Sequence, residues 1–169
     1  SNKITPGTNF MDKLTKKLNV FKEYILNDCG SFLSEVVISD SNIPGEGEHK
    51  MMKIISDIDN DKQICIYGLD ADLIMLSINH LPICKNIYLY RETPEFIKSI
   101  DNSLEPNESY LMDIPELTNI ITKDMNNGLD FVKEQQKNRI YDYIFLCFFL
   151  GNDFMPHFPA VNIRTGGID

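Results

Sequence analysis

The sequence has 169 residues, a net charge of −9 and 43% apolar residues, which is enough apolar material for a buried core and too much for a disordered chain. No apolar run reaches the roughly 18–20 residues of a membrane span, and the polar, lysine-rich start is not a signal peptide. We therefore expect an intracellular protein, cytoplasmic or nuclear, that does not contact membranes. The negative charge argues against nucleic acid as a partner unless divalent cations cover several carboxylates.

The first half of the chain contains two predicted helices with a predicted strand between them. Apolar residues recur at helical spacing from Thr8 to Leu26, and Gly30 follows the end of this helix. Because the chain starts with Ser1 and enters this helix almost at once, we expect an excised segment. The β-branched run from Glu35 to Ser39 predicts a buried strand. After the Pro44-Gly45 turn, a second helix should present four apolar residues on one face: Met51, Ile54, Ile55 and Ile58.

Strands and helices continue to alternate in the middle of the chain. Gln63 to Tyr67 is predicted to be a second buried strand, Asp72 to Asn79 a helix, and Asn86 to Tyr90 a third strand. This alternation predicts an α/β class with a mostly parallel sheet flanked by helices. Ligands in such folds bind beyond the carboxyl ends of the strands.

The last third of the chain is less regular. The polar stretch from Thr93 to Asn138 predicts surface loops and short helices, and Arg139 to Leu150 predicts a buried helix. Four cysteines show no C-x-x-C spacing, and we predict reduced thiols, with Cys65 and Cys147 buried in a strand and a helix.

Carboxylates occur in three clusters at the predicted ends of helices and strands. Glu46 and Glu48 lie between and after two glycines at a helix start, where glutamates also occur simply because the helix dipole favours them. Asp70 and Asp72 directly follow a strand; either could cap the next helix, but two neighbouring aspartates repel each other unless a cation such as Mg²⁺ binds between them. Asp153 follows the apolar helix and is either a cap or a ligand.

Together the five carboxylates fit a site in which two metal ions act on a phosphodiester, one activating water and the other stabilising the leaving oxygen. The chain contains no convincing serine or cysteine nucleophile with a neighbouring base. The Asp57-Ile-Asp59-Asn-Asp61 segment resembles a calcium loop, but Lys62 stands where glycine is required, so we predict a solvated turn.

These clusters resemble the XRN-type 5′→3′ exoribonucleases. Three segments are similar to motifs of that family in the same order: Pro44 to Lys50 (PGEGEHK), Tyr67 to Leu76 (YGLDADLIML) and Phe148 to His157 (FFLGNDFMPH). Arg91-Glu92 falls where the family has an R-E pair. Ser1 to Thr8 also matches, apart from Lys3, where cysteine is usual, and the similarity continues to Asp169.

The resemblance implies a PIN-like, flap-nuclease-related fold and Mg²⁺-dependent hydrolysis of single-stranded RNA from a 5′-monophosphate end, one nucleotide at a time, with Mn²⁺ able to substitute. It also implies which residues are the catalytic metal ligands: Glu46, Glu48, Asp70, Asp72 and Asp153. The family uses two further aspartates and a basic 5′-phosphate pocket nearer its N-terminus, and these 169 residues contain neither. We therefore expect residues 1–169 to be part of a single catalytic domain that is inactive without the rest of its polypeptide.

Two other functions remain open. A structure-specific flap endonuclease acting on DNA shares the acidic site, although the residue patterns PGEGEHK and GNDFMPH argue against this function. A non-catalytic scaffold could retain the fold, but a scaffold has no need to keep five mutually repelling carboxylates.

Overall fold

The computed structural model of the protein describes residues 4–30, 32–93, 101–129, 132–152 and 155–161. The chain divides into two compact units, Ser1–Lys53 and Ile54–Asp169. Within the described ranges it forms eight elements: α1 (Asn9–Cys29), α2 (Gly47–Ser56), β1 (Ile64–Tyr67), α3 (Asp72–His80), β2 (Ile87–Glu92), β3 (Ser109–Asp113), α4 (Ile114–Met125) and α5 (Lys133–Phe148). The expectation that the whole chain belongs to one catalytic domain stays a prediction.

The first predicted helix is confirmed as α1. It begins after Thr8, whose hydroxyl accepts a hydrogen bond from the Met11 backbone N–H at 3.4 Å, and it ends at Gly30. A threonine at this position satisfies one of the N–H groups that the first helical turn leaves without a partner. No described residue of α1 is buried.

The strand predicted from Glu35 to Ser39 is wrong. These residues have no regular secondary structure, and Val37 is 64% exposed. A strand requires a neighbouring strand to satisfy its backbone N–H and C=O groups. The described residues of the first unit form two helices and contain no strand that could pair with this segment.

Helix α2 is confirmed, but of the four residues predicted on its apolar face only Ile55 is buried. Met52 and Ile55 are the buried residues, each 3% exposed, whereas Ile54 is 50% exposed and Ile58 lies beyond the end of the helix. Adjacent apolar pairs at 51–52 and 54–55 fit two helical faces equally well, so periodicity could not choose between them.

The predicted α/β class is confirmed by a three-stranded sheet in the second unit, in the order β1-β2-β3. The first two strands are parallel, with Ile64 opposite Ile87, and the third is antiparallel, with Asp113 opposite Tyr88. The sheet of the described residues is therefore mixed. Strand β3 falls in the stretch that we expected to be loops and short helices.

Each strand of the parallel pair is buried on one side alone, so the burial predicted for the strand at Gln63–Tyr67 holds for one of its faces. Ile66 and its partner Leu89 are 2% and 0% exposed, while Tyr67 and its partner Tyr90 on the other face are 64% and 39% exposed. Helix α3 packs against α4 and α5, and both α3 and α4 pack against β2. The core of this unit therefore lies between one face of the sheet and these helices.

Helix α5 is confirmed, but it is not buried as expected. Ile140 is its one buried residue in the described chain, and Phe145 and Leu146 are 64% and 56% exposed. Within the described residues no helix combines the length and the apolar character needed to cross a membrane.

The four cysteines are free thiols, but their predicted burial holds for Cys84 rather than for Cys65. Cys84 is fully buried, whereas Cys65 points to the exposed face of the sheet and Cys29 is also exposed. Cys147 is half-buried, and this burial raises the pKa of its thiol, against the opposing effect of a hydrogen bond with Tyr143.

Candidate metal centre

The first acidic cluster lies in a turn that Gly45 and Lys50 shape. Gly45 has φ of +101°, a conformation that residues with a Cβ rarely adopt. The Lys50 ammonium donates hydrogen bonds to the carbonyl oxygens of Asp40 and Ile43 at 3.3 and 3.1 Å. These contacts tie the start of α2 to the turn that precedes it.

Glu46 and Glu48 occupy the positions predicted for them. Glu46 immediately precedes α2 and is exposed, and Glu48 lies in the first helical turn and is half-buried. Of the two flanking glycines, Gly45 alone has a positive φ, since Gly47 is already the first residue of the helix. Carboxylates are favoured at this end of a helix by its dipole, and a cation site remains compatible with the same placement.

The second cluster follows β1 directly, as predicted. The Gly68 N–H donates to the Tyr90 carbonyl oxygen at 3.3 Å and so extends the pairing of the parallel strands by one residue. Asp70 Oδ1 then accepts the Asp72 N–H at 3.1 Å, and α3 begins at Asp72. Both carboxylates are exposed. The residue that caps α3 is Ala71, without a side-chain hydrogen bond, so helix capping does not account for Asp72.

Two contacts that the sequence analysis missed hold the loop between β1 and α3. A Cβ at Gly68 would overlap the buried Leu73 Cδ1 methyl, so this position requires glycine if Leu73 is to keep its place in the core. Arg91 Nη2 donates to the Leu69 carbonyl oxygen at 2.8 Å. The sequence placed Arg91 beside Glu92 in a recognisable pair but carried no signal for a contact 22 residues away.

In the third cluster, after α5, described residues on the two sides of Asp153 contact each other. Gly151 has φ of +87°, and the Asn152 N–H donates to the Met155 carbonyl oxygen at 2.9 Å. The Phe158 N–H donates to the Phe149 carbonyl oxygen at 2.8 Å, and the two rings make an edge-to-face contact. The predicted ligand Asp153 lies outside the described residues and stays a prediction.

The structure brings Asp70 and Asp72 together in the second unit, while Glu46 and Glu48 belong to the first. In the described part of either unit, no group of three or more ligating side chains surrounds one point. A pair is nevertheless suitable for Mg²⁺, which is commonly held by one or two carboxylates together with substrate phosphates. Among the described residues no basic side chain pairs with Asp70 or Asp72, so this all-oxygen donor set fits a hard divalent cation.

The segment that resembles a calcium loop is an exposed turn, as predicted. Asp59 Oδ1 accepts the Asp61 N–H at 3.3 Å, the same local hydrogen bond that Asp70 makes with Asp72. Asp57, Asp59 and Asp61 all lie outside the core, and Asp59 and Asp61 are exposed. This turn therefore repeats the local hydrogen bond of the Asp70-Asp72 pair at a position with no candidate function.

Two family models match the chain. One, the XRN 5′-3′ exonuclease N-terminus, matches residues 1–93, and the other, the Xrn1 helical domain, matches residues 133–169. The first match covers more than half of the sequence. The chain belongs to the XRN 5′-3′ exonuclease family.

Curated relatives of the XRN family match this chain over nearly all of its length. It is 39% identical to 5′-3′ exoribonuclease 2 of Yarrowia lipolytica over 186 residues, which cover 100% of this chain and 17% of that protein. It is 36% identical to 5′-3′ exoribonuclease 2 of Saccharomyces cerevisiae over 194 residues, covering 100% of this chain and 19% of that protein. It is 38% identical to 5′-3′ exoribonuclease 1 of the same yeast over 178 residues, covering 98% and 12%.

This chain spans about a fifth or less of the length of the XRN relatives it matches. The family recognised from the three motifs is confirmed, and XRN nucleases are in general metal-dependent. The ligand roles of Glu46, Glu48, Asp70, Asp72 and Asp153 remain predictions.

Proposed function

We propose that this chain is part of a Mg²⁺-dependent 5′→3′ exoribonuclease that hydrolyses 5′-monophosphorylated single-stranded RNA to mononucleotides, in RNA decay or processing. The observation that carries the proposal is the exposed pair Asp70 and Asp72 beyond the carboxyl end of β1. The relatives that match the whole chain are named exoribonucleases, which supports this chemistry.

Five acidic residues would hold the two metal ions. Asp70 uses Oδ1 to accept the Asp72 N–H, which leaves its second oxygen free for a cation. Asp72 contributes its carboxylate from the first turn of α3, and Glu46, Glu48 and Asp153 supply the remaining acidic ligands. When bound, the ions provide an activated water and stabilise the leaving oxygen of the phosphodiester. Mn²⁺ should substitute for Mg²⁺, because carboxylate oxygens bind both ions.

The charge of the chain supports a role for cations in substrate binding. At a net charge of −9 the chain repels RNA phosphates, and divalent ions at the acidic site would reverse the local sign. The basic groups that bind the 5′ phosphate would come from other parts of the polypeptide. We place the enzyme inside the cell, in the nucleus or the cytoplasm, which fractionation of the host cell would test.

The experiment compares three substrates with the purified full-length polypeptide that contains this chain: RNA with a 5′ monophosphate, the same RNA with a 5′ hydroxyl, and a DNA duplex with a 5′ flap. We expect mononucleotides to be released from the first RNA in Mg²⁺ and not after chelation by EDTA. The 5′-hydroxyl RNA should be degraded more slowly. Cleavage of the DNA flap without RNA degradation would favour the flap endonuclease instead.

A further inference from the structure

Arg91 lies near the end of β2, where it is paired with Tyr110 of β3, and its side chain is half-buried. Its Nη2 donates to the Leu69 carbonyl oxygen at 2.8 Å, across to the loop that follows β1. Among the described residues Arg91 forms no ion pair with a carboxylate. A permanently charged side chain therefore lies next to the acidic loop, but it donates to a backbone carbonyl and not to a carboxylate.

This hydrogen bond acts on the peptide unit that leads into Asp70. The carbonyl oxygen of Leu69 and the N–H of Asp70 lie in one rigid plane, so holding the carbonyl direction also orients the Asp70 backbone. Asp70 in turn accepts the Asp72 N–H, and α3 starts at that residue. By fixing this one peptide plane, the hydrogen bond of Arg91 therefore orients the backbone that carries both carboxylates.

The other restraints on this loop come from the backbone or from the loop itself. Gly68 donates to Tyr90, and the Leu73 side chain packs beneath Gly68. Among the described residues Arg91 makes the one side-chain hydrogen bond that reaches the loop from another element. A direct ion pair with Asp70 would compete with a cation for the carboxylate, whereas a bond to the Leu69 carbonyl leaves the carboxylate oxygens available.

We propose that Arg91 is a positioning residue that orients the Asp70-Asp72 pair for a divalent cation through the Leu69 carbonyl. This inference rests on the proposed function, because it takes the two aspartates to be metal ligands. Arginine suits the task since it stays charged at all working pH values and a charged donor makes a stronger hydrogen bond than a neutral one.

The test compares Arg91→Met, which keeps the length of the side chain without a donor, with Arg91→Lys, which restores a charged donor. Arg139→Met is the matched control, because Arg139 is exposed and makes a surface ion pair with Asp142 at 3.2 Å. Mn²⁺ affinity is measured by electron paramagnetic resonance, without RNA, on the purified full-length polypeptide that contains this chain. Amide hydrogen exchange from Gly68 to Leu73 reports the order of the loop, and circular dichroism confirms that each variant is folded.

We expect Arg91→Met to weaken Mn²⁺ binding roughly tenfold or more, as loss of a residue that orients a metal ligand typically does. Exchange at the loop amides should accelerate, Arg91→Lys should recover part of both effects, and Arg139→Met should match the wild type. With RNA, kcat should fall more than KM rises.

Two results would overturn the inference in distinguishable ways. If Asp72→Ala abolishes Mn²⁺ binding while Arg91→Met binds within twofold of the wild type, the metal site stands and the role of Arg91 is wrong. If Asp72→Ala binds Mn²⁺ as well as the wild type, the proposed metal ligand fails and the inference fails with it.

Discussion

Replacing Gly151 by alanine should disturb the close contact between Gly151 and His157. Gly151 has φ of +87°, and a Cβ at this residue would lie 2.7 Å from the His157 backbone nitrogen and 3.0 Å from its Cα. Both neighbouring atoms belong to the backbone, so neither can rotate away as the end of a side chain could. Alanine at this position must therefore shift the backbone of residue 151 or of His157.

The magnitude of the effect follows from three terms. A left-handed conformation costs a residue with a Cβ about 1–2 kcal/mol, and forcing an extra carbon into occupied space costs roughly 1–3 kcal/mol. Alanine also restricts the unfolded chain more than glycine does, and this stabilises the variant by about 0.4–1 kcal/mol. The expected loss in the free energy of unfolding is therefore roughly 1–5 kcal/mol, and it cannot exceed the free energy needed to break the contacts around Gly151 locally.

Gly128→Ala is the matched control, because Gly128 has φ of +78° and no atom lies within 4 Å of the position that a Cβ would take there. The two variants share the conformational terms, so the difference between their unfolding free energies in urea, roughly 1–3 kcal/mol, isolates the contact with His157. Hydrogen exchange at the Phe158 amide, which donates to Phe149, detects local opening that urea unfolding misses. Equal losses in both variants, with unchanged exchange at Phe158, would refute the close contact between Gly151 and His157.

Three further predictions concern the thiols, the first acidic turn and the isolated chain. A thiol reagent at neutral pH should label exposed Cys65 much faster than fully buried Cys84, and equal rates would contradict the described core. Lys50→Met should accelerate hydrogen exchange at the Ile43 amide, because two hydrogen bonds to this turn are lost. Lys53→Met, on the exposed side of the same helix, is the control and should leave this exchange unchanged. Equal exchange in both variants would contradict the role of Lys50. The isolated 169 residues should release no mononucleotides from 5′-monophosphorylated RNA in Mg²⁺ or Mn²⁺, because they lack the further aspartates and basic pocket that the family resemblance implies. Processive release that disappears in Glu48→Ala would contradict this expectation.

Much of the fold could be predicted where local pattern and tertiary environment agree. The periodicity of α1, the helix start at Gly47 and the strand at Ile64–Tyr67 are all visible in the sequence. The predicted strand at Glu35–Ser39 failed because β-branched residues favour a strand that only a neighbouring strand can stabilise. Strand β3 was missed because it is short and lies within a polar stretch, and its pairing with β2 is not a local property.

In the candidate site too, the features set by neighbouring residues could be predicted, and the contacts between residues far apart in the chain could not. The acidic clusters are contiguous in sequence, so their placement at the starts of α2 and α3 could be predicted. The support for these clusters could not, because the bond from Arg91 to Leu69 joins two elements and depends on the register of β1 and β2. Likewise, the glycine at position 68 is explained by the Leu73 methyl in three dimensions and by no local turn signal.

The most direct test of the metal-dependent mechanism is the rate of RNA hydrolysis by Asp72→Ala compared with Asp61→Ala, both made in the full-length polypeptide that contains this chain. Both residues are exposed and stand at the end of an Asp-x-Asp segment with the same local hydrogen bond, so Asp61→Ala controls for the loss of such an aspartate, although Asp72 also begins α3. We predict that Asp72→Ala nearly abolishes hydrolysis in Mg²⁺ while RNA binding survives, and that Asp61→Ala retains the wild-type rate. If Asp72→Ala keeps more than about a tenth of that rate, a barrier change below roughly 1.4 kcal/mol, the two-metal assignment is contradicted.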